Sequence, residues 1–268
     1  MMRAVSIQIP AGSGYVAMGS SFGAGPGLPP RVAGTPRAAG RSTVNYAHLV
    51  AAVGGLRLTD VTFSGATTAD LLGPRAGAQP AQVDAVSADT RLVTITAGGN
   101  DIGYIGALTL ASLPWPLRAL PSARRSVADA VDPATMDVRF ATLLASLASL
   151  VTEIRARAPE ALIVFVDYLT ILPPDDAAIT GRPDSVTADW ARETARRLSE
   201  TFRAVSQAEG CEFIAVGHAS RDHHAWAAEP WTQRFHLSVR GGAPYHPNAA
   251  GMRAVAALLE ELLGFPSA

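Results

Sequence analysis

Residues 162–166 read Leu-Ile-Val-Phe-Val, an apolar run that contains no polar residue. Such a run is typical of a β-strand covered on both faces, because a strand with one wet face alternates apolar and polar residues. Apolar residues at helical spacing flank it over 137–158 and over 187–208, and Pro159 ends the first of these stretches. A buried strand between two helices predicts a βαβ unit, and therefore a parallel sheet with helices on both faces.

The same alternation of strand-like and helix-like segments extends along the rest of the chain. Further strands are predicted over 15–18, 56–63, 92–96 and 212–216, and further helices over 43–53 and 248–263. Two stretches, 105–135 and 171–186, are predicted to be long irregular segments, with some helix in the first. We therefore predict that residues 1–268 form one domain, a three-layer α/β/α fold with a flavodoxin-like, mostly parallel sheet of five strands.

Composition excludes several classes of function. The 268 residues carry 22 basic and 23 acidic side chains, a net charge of -1, which argues against a nucleic-acid partner. Every basic residue is an arginine, so Schiff-base chemistry and a phosphate-binding lysine are excluded. Cys211 is the only cysteine, which excludes an internal disulfide and a multi-cysteine metal site.

Hydropathy and the first residues bear on location. No run approaches 18 uninterrupted apolar residues, so the sequence predicts no transmembrane segment. Residues 1–10 hold one positive charge and too short an apolar run for a secretory signal. Together with the lack of a disulfide, this favours a cytoplasmic protein, although a mature secreted form stays open. The sequence predicts nothing about the oligomeric state.

Groups suited to acyl transfer follow three of the predicted strands and precede the last helix. Ser21 follows 15–18, Gly65 follows 56–63, Asn100 follows 92–96, and His246 stands before 248–263. In a parallel sheet, these strand ends meet at one edge, where ligands bind.

Each of these groups has a role in serine hydrolysis. A serine hydroxyl can attack a carbonyl if an imidazole takes its proton. The backbone amides of Ser21 and Gly65, with the uncharged Asn100 side chain, are donors for the negative charge that develops on the carbonyl oxygen.

Taken in order, these loops resemble the SGNH (GDSL-type) hydrolase family. The matching blocks are Gly19-Ser20-Ser21, Gly65 within 63–67, Gly98-Gly99-Asn100-Asp101, and His246-Pro247-Asn248. The resemblance implies an esterase or lipase that acts on a small-molecule ester, with no cofactor and no metal. It assigns catalysis to Ser21, Gly65, Asn100 and His246.

The chain departs from the family pattern at two positions. Ser20 replaces an aspartate that supports the nucleophile loop in the family. Two neighbouring serines are therefore candidate nucleophiles, and the position in the block favours Ser21. Ala243 replaces the acid of the triad, so the resemblance implies a Ser-His dyad in which a main-chain carbonyl between residues 241 and 244 orients His246. Asp222 and Glu229 are the rival carboxylates.

Other interpretations stay open. Two alternative functions remain. One is an acyltransferase that uses the same acyl-enzyme with an alcohol in place of water. The other is a non-catalytic carbohydrate- or lipid-binding relative, which the missing acid and Ser20 suggest. The glycines of 23–27 could cradle a dinucleotide, but the prolines that follow them oppose a helix there. The histidines of 218–224 match no zinc spacing. Trp115 is the best candidate for a wall of the acyl site, and Asp101 is expected to hold its own loop by local backbone hydrogen bonds.

Overall fold

A computed structural model describes residues 9–75, 79–174, 179, 183–238 and 242–265, and these residues form a five-stranded parallel sheet. The strands are β1 (Gly14–Gly19), β2 (Arg57–Asp60), β3 (Thr90–Thr96), β4 (Leu162–Val166) and β5 (Glu212–Ile214). Their order across the sheet is β2-β1-β3-β4-β5, and each neighbouring pair is parallel. The predicted three-layer α/β/α class is confirmed, and the carboxyl ends of all five strands lie at one edge.

Helices cover both faces of this sheet. In chain order the described residues form α1 (Ser21–Ala24), α2 (Tyr46–Gly54), α3 (Thr68–Leu72), α4 (Tyr104–Ser112), α5 (Trp115–Arg118), α6 (Pro121–Val131), α7 (Pro133–Arg157), α8 (Ser185–Glu209), α9 (Val216–Ala219) and α10 (Ala249–Leu263). Along β4, Ile163 and Phe165 pack in the core formed with α7 and α8, whereas Val164 and Val166 pack in the core formed with α2 and α10. This alternation explains why the strand has no polar residue.

The predicted irregular stretch over 105–135 is wrong, because most of it is helical, in α4, α5, α6 and the start of α7. Inside a helix, proline removes a backbone hydrogen bond and breaks the element. Pro121 and Pro133 instead stand at the first position of α6 and α7, where a missing N–H removes no helical hydrogen bond.

Smaller differences concern the ends of elements. β2 covers only four of the eight residues predicted over 56–63, and β5 ends at Ile214, after which α9 begins. The final helix begins one residue after Asn248, whose side chain accepts a hydrogen bond from the Gly251 N–H at 2.9 Å. Residues 1–8 and part of the stretch 171–186 lie outside the described residues.

Helix α7 is long and apolar enough to cross a membrane, although it contains no uninterrupted apolar run of 18 residues. In its most apolar window of 18 residues, 33% of the residues are buried. Its buried side chains, among them Leu143, Leu147 and Ile154, recur at helical spacing and join the core beside β4. In this fold, α7 therefore packs one face against the sheet.

Candidate active site

The turn that carries Ser21 begins where β1 ends. Gly19 has φ +132°, and a Cβ there would lie 2.1 Å from the Thr96 carbonyl oxygen, so only glycine fits between the strands. The buried amide of Gln82 binds both backbone groups of this residue: Oε1 accepts from the Gly19 N–H at 2.7 Å, and Nε2 donates to the Gly19 carbonyl at 3.0 Å. Ser20 is buried, and Ser21 begins α1.

Ser21 and His246 are brought together from opposite ends of the chain. Ser21 Oγ lies 2.7 Å from His246 Nε2, and His246 Nδ1 lies 2.7 Å from the Pro244 carbonyl oxygen. A carbonyl oxygen only accepts, so Nδ1 carries the ring hydrogen and the Nε2 of the neutral ring accepts from the Ser21 hydroxyl. The structure thus places a main-chain carbonyl, from within the window 241–244, at the position of the absent acid.

Burial sets the charge state of this imidazole. It lowers the pKa of His246 to about 4, and the hydrogen bond to the Pro244 carbonyl acts in the opposite direction. The ring is therefore neutral at pH 7 and able to accept a proton.

The turn before His246 has a backbone conformation that is uncommon for its sequence. Tyr245 has φ +62°, in the left-handed region, which costs roughly 1–3 kcal/mol for a residue other than glycine. Its side chain is fully buried, with its hydroxyl 2.6 Å from Ser112 Oγ, and its N–H donates to the Gln233 carbonyl at 3.1 Å. These contacts offset the strain and fix the chain reversal beside the His246 ring.

Neither rival carboxylate contacts His246. The Asp222 side chain is 84% exposed and lies 3.5 Å from the Arg221 guanidinium. The backbone carbonyl of Glu229 accepts from His223 Nδ1 at 2.8 Å. Within the described part of the chain, both ring nitrogens of His246 are bound to Pro244 and Ser21 instead.

The three predicted oxyanion donors lie on turns at the same edge of the sheet. Gly65 has φ +78°, a conformation that favours glycine. Asn100 Nδ2 donates to the Ala66 carbonyl at 2.8 Å; because an amide nitrogen carries two hydrogens, this bond fixes the side chain and leaves one N–H for a ligand. The N–H of Ser21, in the first turn of α1, is one that a helix does not use internally.

The expectation that Asp101 holds its own loop through local bonds is wrong. Its Oδ1 accepts from the N–H of Thr68 at 2.9 Å and from the Thr68 hydroxyl at 2.5 Å, 33 residues away in sequence. Together with the bond from Asn100 to Ala66, this contact joins the Asn100 turn to the turn that carries Gly65. The two donors are therefore held at a fixed separation.

Tyr168 and Gln82 support the site and were not predicted from the sequence. The Tyr168 hydroxyl accepts from the Gly99 N–H at 2.9 Å, and its ring lies 4.5 Å from the Phe22 ring. Burial raises the pKa of Tyr168 to about 12, so the hydroxyl stays protonated. The sequence gives only a weak indication of either role. Gln82 is a polar residue between the apolar residues Ala81 and Val83, and Tyr168 follows two residues after the buried strand β4.

A cavity of about 520 Å³ lies beside the site, beyond the ends of β4 and β5. Its lining includes Tyr104, Asp167 and Tyr168 but neither Ser21 nor His246. Burial raises the pKa of Asp167 to about 6. Tyr168 lines this cavity and also contacts Gly99 and the Phe22 ring of α1, so it stands between the cavity and the nucleophile turn.

The remaining histidines and Trp115 have other surroundings. Among the described residues no group of three or more His, Cys, Asp or Glu side chains could hold a metal ion. His223 stacks on Trp231 with ring centroids 4.0 Å apart, and His224 Nδ1 accepts from the Trp226 N–H. Trp115 is 67% exposed on the single-turn helix α5, in which no residue is buried, so it does not form an enclosed wall.

Comparisons with known proteins find relatives over most of the chain. Residues 17–254 match the GDSL-like Lipase/Acylhydrolase family. Lipase 2 of Streptomyces coelicolor is 32% identical, over 93% of this chain and 85% of that lipase. The crystal structure of an extracellular lipase from Streptomyces rimosus has a TM-score of 0.74 at 26% identity, over 93% of this chain and 99% of that one. A phospholipase A1 from Streptomyces albidoflavus NA297 shares the fold, with a TM-score of 0.77 at 24% identity over 94% and 99% of the two chains.

Proposed function

The chain belongs to the GDSL-like lipase/acylhydrolase family and is a carboxylic ester hydrolase, and from this premise we propose that it works as a Ser-His dyad through an acyl-enzyme. The observation that carries the proposal is the continuous hydrogen-bonded line from Ser21 Oγ through the His246 ring to the Pro244 carbonyl. Each link is 2.7 Å long. In this line, the carbonyl selects the same tautomer that a carboxylate would select.

In the first half of the reaction, Ser21 Oγ attacks the ester carbonyl carbon and its proton passes to His246 Nε2. The carbonyl oxygen becomes an oxyanion, which accepts hydrogen bonds from the N–H groups of Ser21 and Gly65 and from Asn100 Nδ2. When the tetrahedral intermediate collapses, the bond to the alcohol breaks and the alcohol leaves with the proton from His246. The acyl group remains on Ser21.

In the second half, water replaces the alcohol. His246 takes a proton from the water, whose oxygen attacks the acyl carbon, and the same three donors bind the oxyanion. Collapse releases the carboxylic acid and returns the proton to Ser21. A neutral carbonyl orients His246 but stabilises the transient imidazolium less than a carboxylate does.

The substrates that we propose are esters of lipids. The support comes from the relatives named lipases in Streptomyces coelicolor and Streptomyces rimosus. An acyl-chain-length series of para-nitrophenyl esters tests it: lipid preference requires kcat/KM to rise from the acetate to medium or long chains.

Labelling with a fluorophosphonate tests the nucleophile. We expect one adduct, located by peptide mass spectrometry on Ser21, and turnover of para-nitrophenyl acetate that Ser21→Ala abolishes. Ser20→Ala is the matched control, because Ser20 is buried and lies on the Tyr168 side of the turn. An adduct on Ser20, or turnover that survives in Ser21→Ala, overturns the assignment.

A further inference from the structure

The segment 113–126, which includes α5 and the start of α6, presents large apolar side chains to solvent. Trp115 is 67% exposed, Leu117 46% and Leu120 50%, and all three lie within six residues. Scattered exposed apolar residues are normal on a protein surface, whereas a cluster of large ones marks an interaction surface. We call residues 113–126 the α5 surface.

The charges on this part of the chain have one sign. Residues 113–126 hold Arg118, Arg124 and Arg125 and no acidic residue, in a chain whose net charge is -1, and the next acidic residue is Asp129. Arg124 and Arg125 are exposed. Asp184 at the start of α8 faces Arg118, and its carboxylate accepts from the Thr187 N–H at 2.9 Å. Two arginines with exposed side chains therefore follow Leu120 by four and five residues.

The α5 surface is connected to the catalytic loop. Ser112, the last residue of α4, lies with its hydroxyl 2.6 Å from that of Tyr245, which directly precedes His246. Trp115 follows Ser112 by three residues, a reach of at most about 11 Å along the chain. The apolar cluster is therefore joined to the segment that carries His246 by a short stretch of chain and one buried hydrogen bond.

We propose that the α5 surface docks on an anionic lipid surface. Trp115, Leu117 and Leu120 enter the headgroup region, where an aromatic ring and leucines are stabilised, and Arg124 and Arg125 bind lipid phosphates. Charge complementarity selects this occupant, since a second copy of the chain would bring the same arginines together. If the lipid surface also supplies the ester substrate, that step rests on the proposed function. The docking itself is independent of it.

Co-sedimentation with vesicles tests the docking. Wild-type protein is mixed with vesicles of phosphatidylglycerol or of phosphatidylcholine, at low and at high salt, beside the variants L117S/L120S and R124Q/R125Q. We expect binding to phosphatidylglycerol that weakens with salt, about tenfold weaker binding for the leucine variant, and about fivefold weaker binding for each arginine removed. The matched control is V138S/L144S on α7, whose side chains are 67% and 43% exposed and which should bind like wild type.

Hydrolysis separates docking from catalysis. On soluble para-nitrophenyl acetate, the two test variants should keep wild-type kcat/KM, while their rates on an ester lipid in phosphatidylglycerol vesicles fall with their binding. No vesicle binding by the wild type, an equal loss in V138S/L144S, or a dimer that L117S/L120S dissociates would overturn the proposal. Vesicle binding without any turnover of para-nitrophenyl acetate would leave the docking intact and overturn the proposed function instead.

Discussion

The two sides of the catalytic site are held by different kinds of contact. On the oxyanion side, distant side chains bind the turns: Gln82 binds Gly19, Asp101 binds Thr68, and Tyr168 binds Gly99. On the base side, the turn before His246 is held largely by backbone hydrogen bonds, to which Tyr245 adds its side-chain contact with Ser112. The N–H of His246 donates to the Ala243 carbonyl at 3.2 Å, and its ring Nδ1–H donates to the Pro244 carbonyl. The carbonyl of His246 accepts from the Gln233 N–H at 3.0 Å.

This difference explains how the chain can lack the family acid at Ala243. A backbone carbonyl is present whatever side chain stands nearby, so replacing the acid by Ala243 removes no contact that the His246 ring now makes. The bonds of the oxyanion side, by contrast, each need one particular side chain, that of Gln82, Asp101 or Tyr168. We therefore expect substitutions on the oxyanion side to be costly even where they do not touch the substrate.

The largest effect is expected from His246→Ala, which removes the proposed base while leaving the backbone turn in place. Loss of the base in a serine hydrolase lowers kcat by about 10⁶. Turnover of para-nitrophenyl acetate measures it, with an unfolding curve to show that the fold persists. A decrease in kcat of less than about tenfold would show that another group takes the proton from Ser21.

Asn100→Ala tests the oxyanion side directly. The loss of one such donor lowers kcat by about 10²–10³, equivalent to roughly 2.7–4 kcal/mol. KM should change little, since the bond strengthens in the transition state. Because the bond to the Ala66 carbonyl is lost as well, the control is Asp101→Asn, which weakens the contact between the turns and leaves the donor. A change confined to KM would assign Asn100 to substrate binding.

The pH dependence tests the base side. His246 must be neutral to accept the Ser21 proton, so activity is lost as pH falls through its pKa, which burial lowers to about 4. At pH 5 an imidazole of ordinary pKa would leave about one-thirtieth of the activity, whereas we expect most of it to remain. The measurement is kcat/KM between pH 4 and 8, with the folded fraction followed at each pH. An acidic limb near 6.5 would contradict the burial of the ring.

Gln82→Leu tests the oxyanion side indirectly. The side-chain hydrogen bonds of Gln82 go to Gly19, and not to Ser21 or His246. The Gly19 N–H loses its partner inside the protein, which costs about 1–3 kcal/mol of unfolding free energy. Displacement of the nucleophile turn should lower kcat about tenfold, in keeping with the sensitivity of catalysis to small misplacements. Gln82→Glu keeps the acceptor for Gly19 and should recover part of both losses. Equal kcat in all three proteins would show that the turn does not need this support.

The smallest effect is expected from Ala243→Asp, which restores the family acid. The ring hydrogen of His246 is already bound to the Pro244 carbonyl, so kcat at neutral pH should change by less than about fivefold. A carboxylate beside the ring favours its charged form, so the acidic limb of the pH profile should move to higher pH. If kcat instead rises by about two orders of magnitude or more, the carbonyl substitutes poorly for an acid.

These contrasts also show what the sequence can predict. The strands and the four candidate residues follow from local patterns, because a buried strand and the loop after it are adjacent in sequence. Gln82, Tyr168 and the reach of Asp101 to Thr68 depend on contacts between segments 33 to 69 residues apart, which no local pattern encodes. The helices of 105–135 are hard to predict for another reason, since proline ends some helices and begins others.

The hydrogen bonds between the Gln82 amide and Gly19 affect local unfolding at the end of β1. Backbone groups at strand ends usually fray first, and their amide hydrogens exchange with solvent through small local openings. Here the amide hydrogen of Gly19 is bound to a buried side chain, and that of Ser20 to the Thr96 carbonyl of the central strand β3. Both hydrogens should exchange only when the sheet itself unfolds. In urea the loss of activity should therefore coincide with global unfolding, and not precede it.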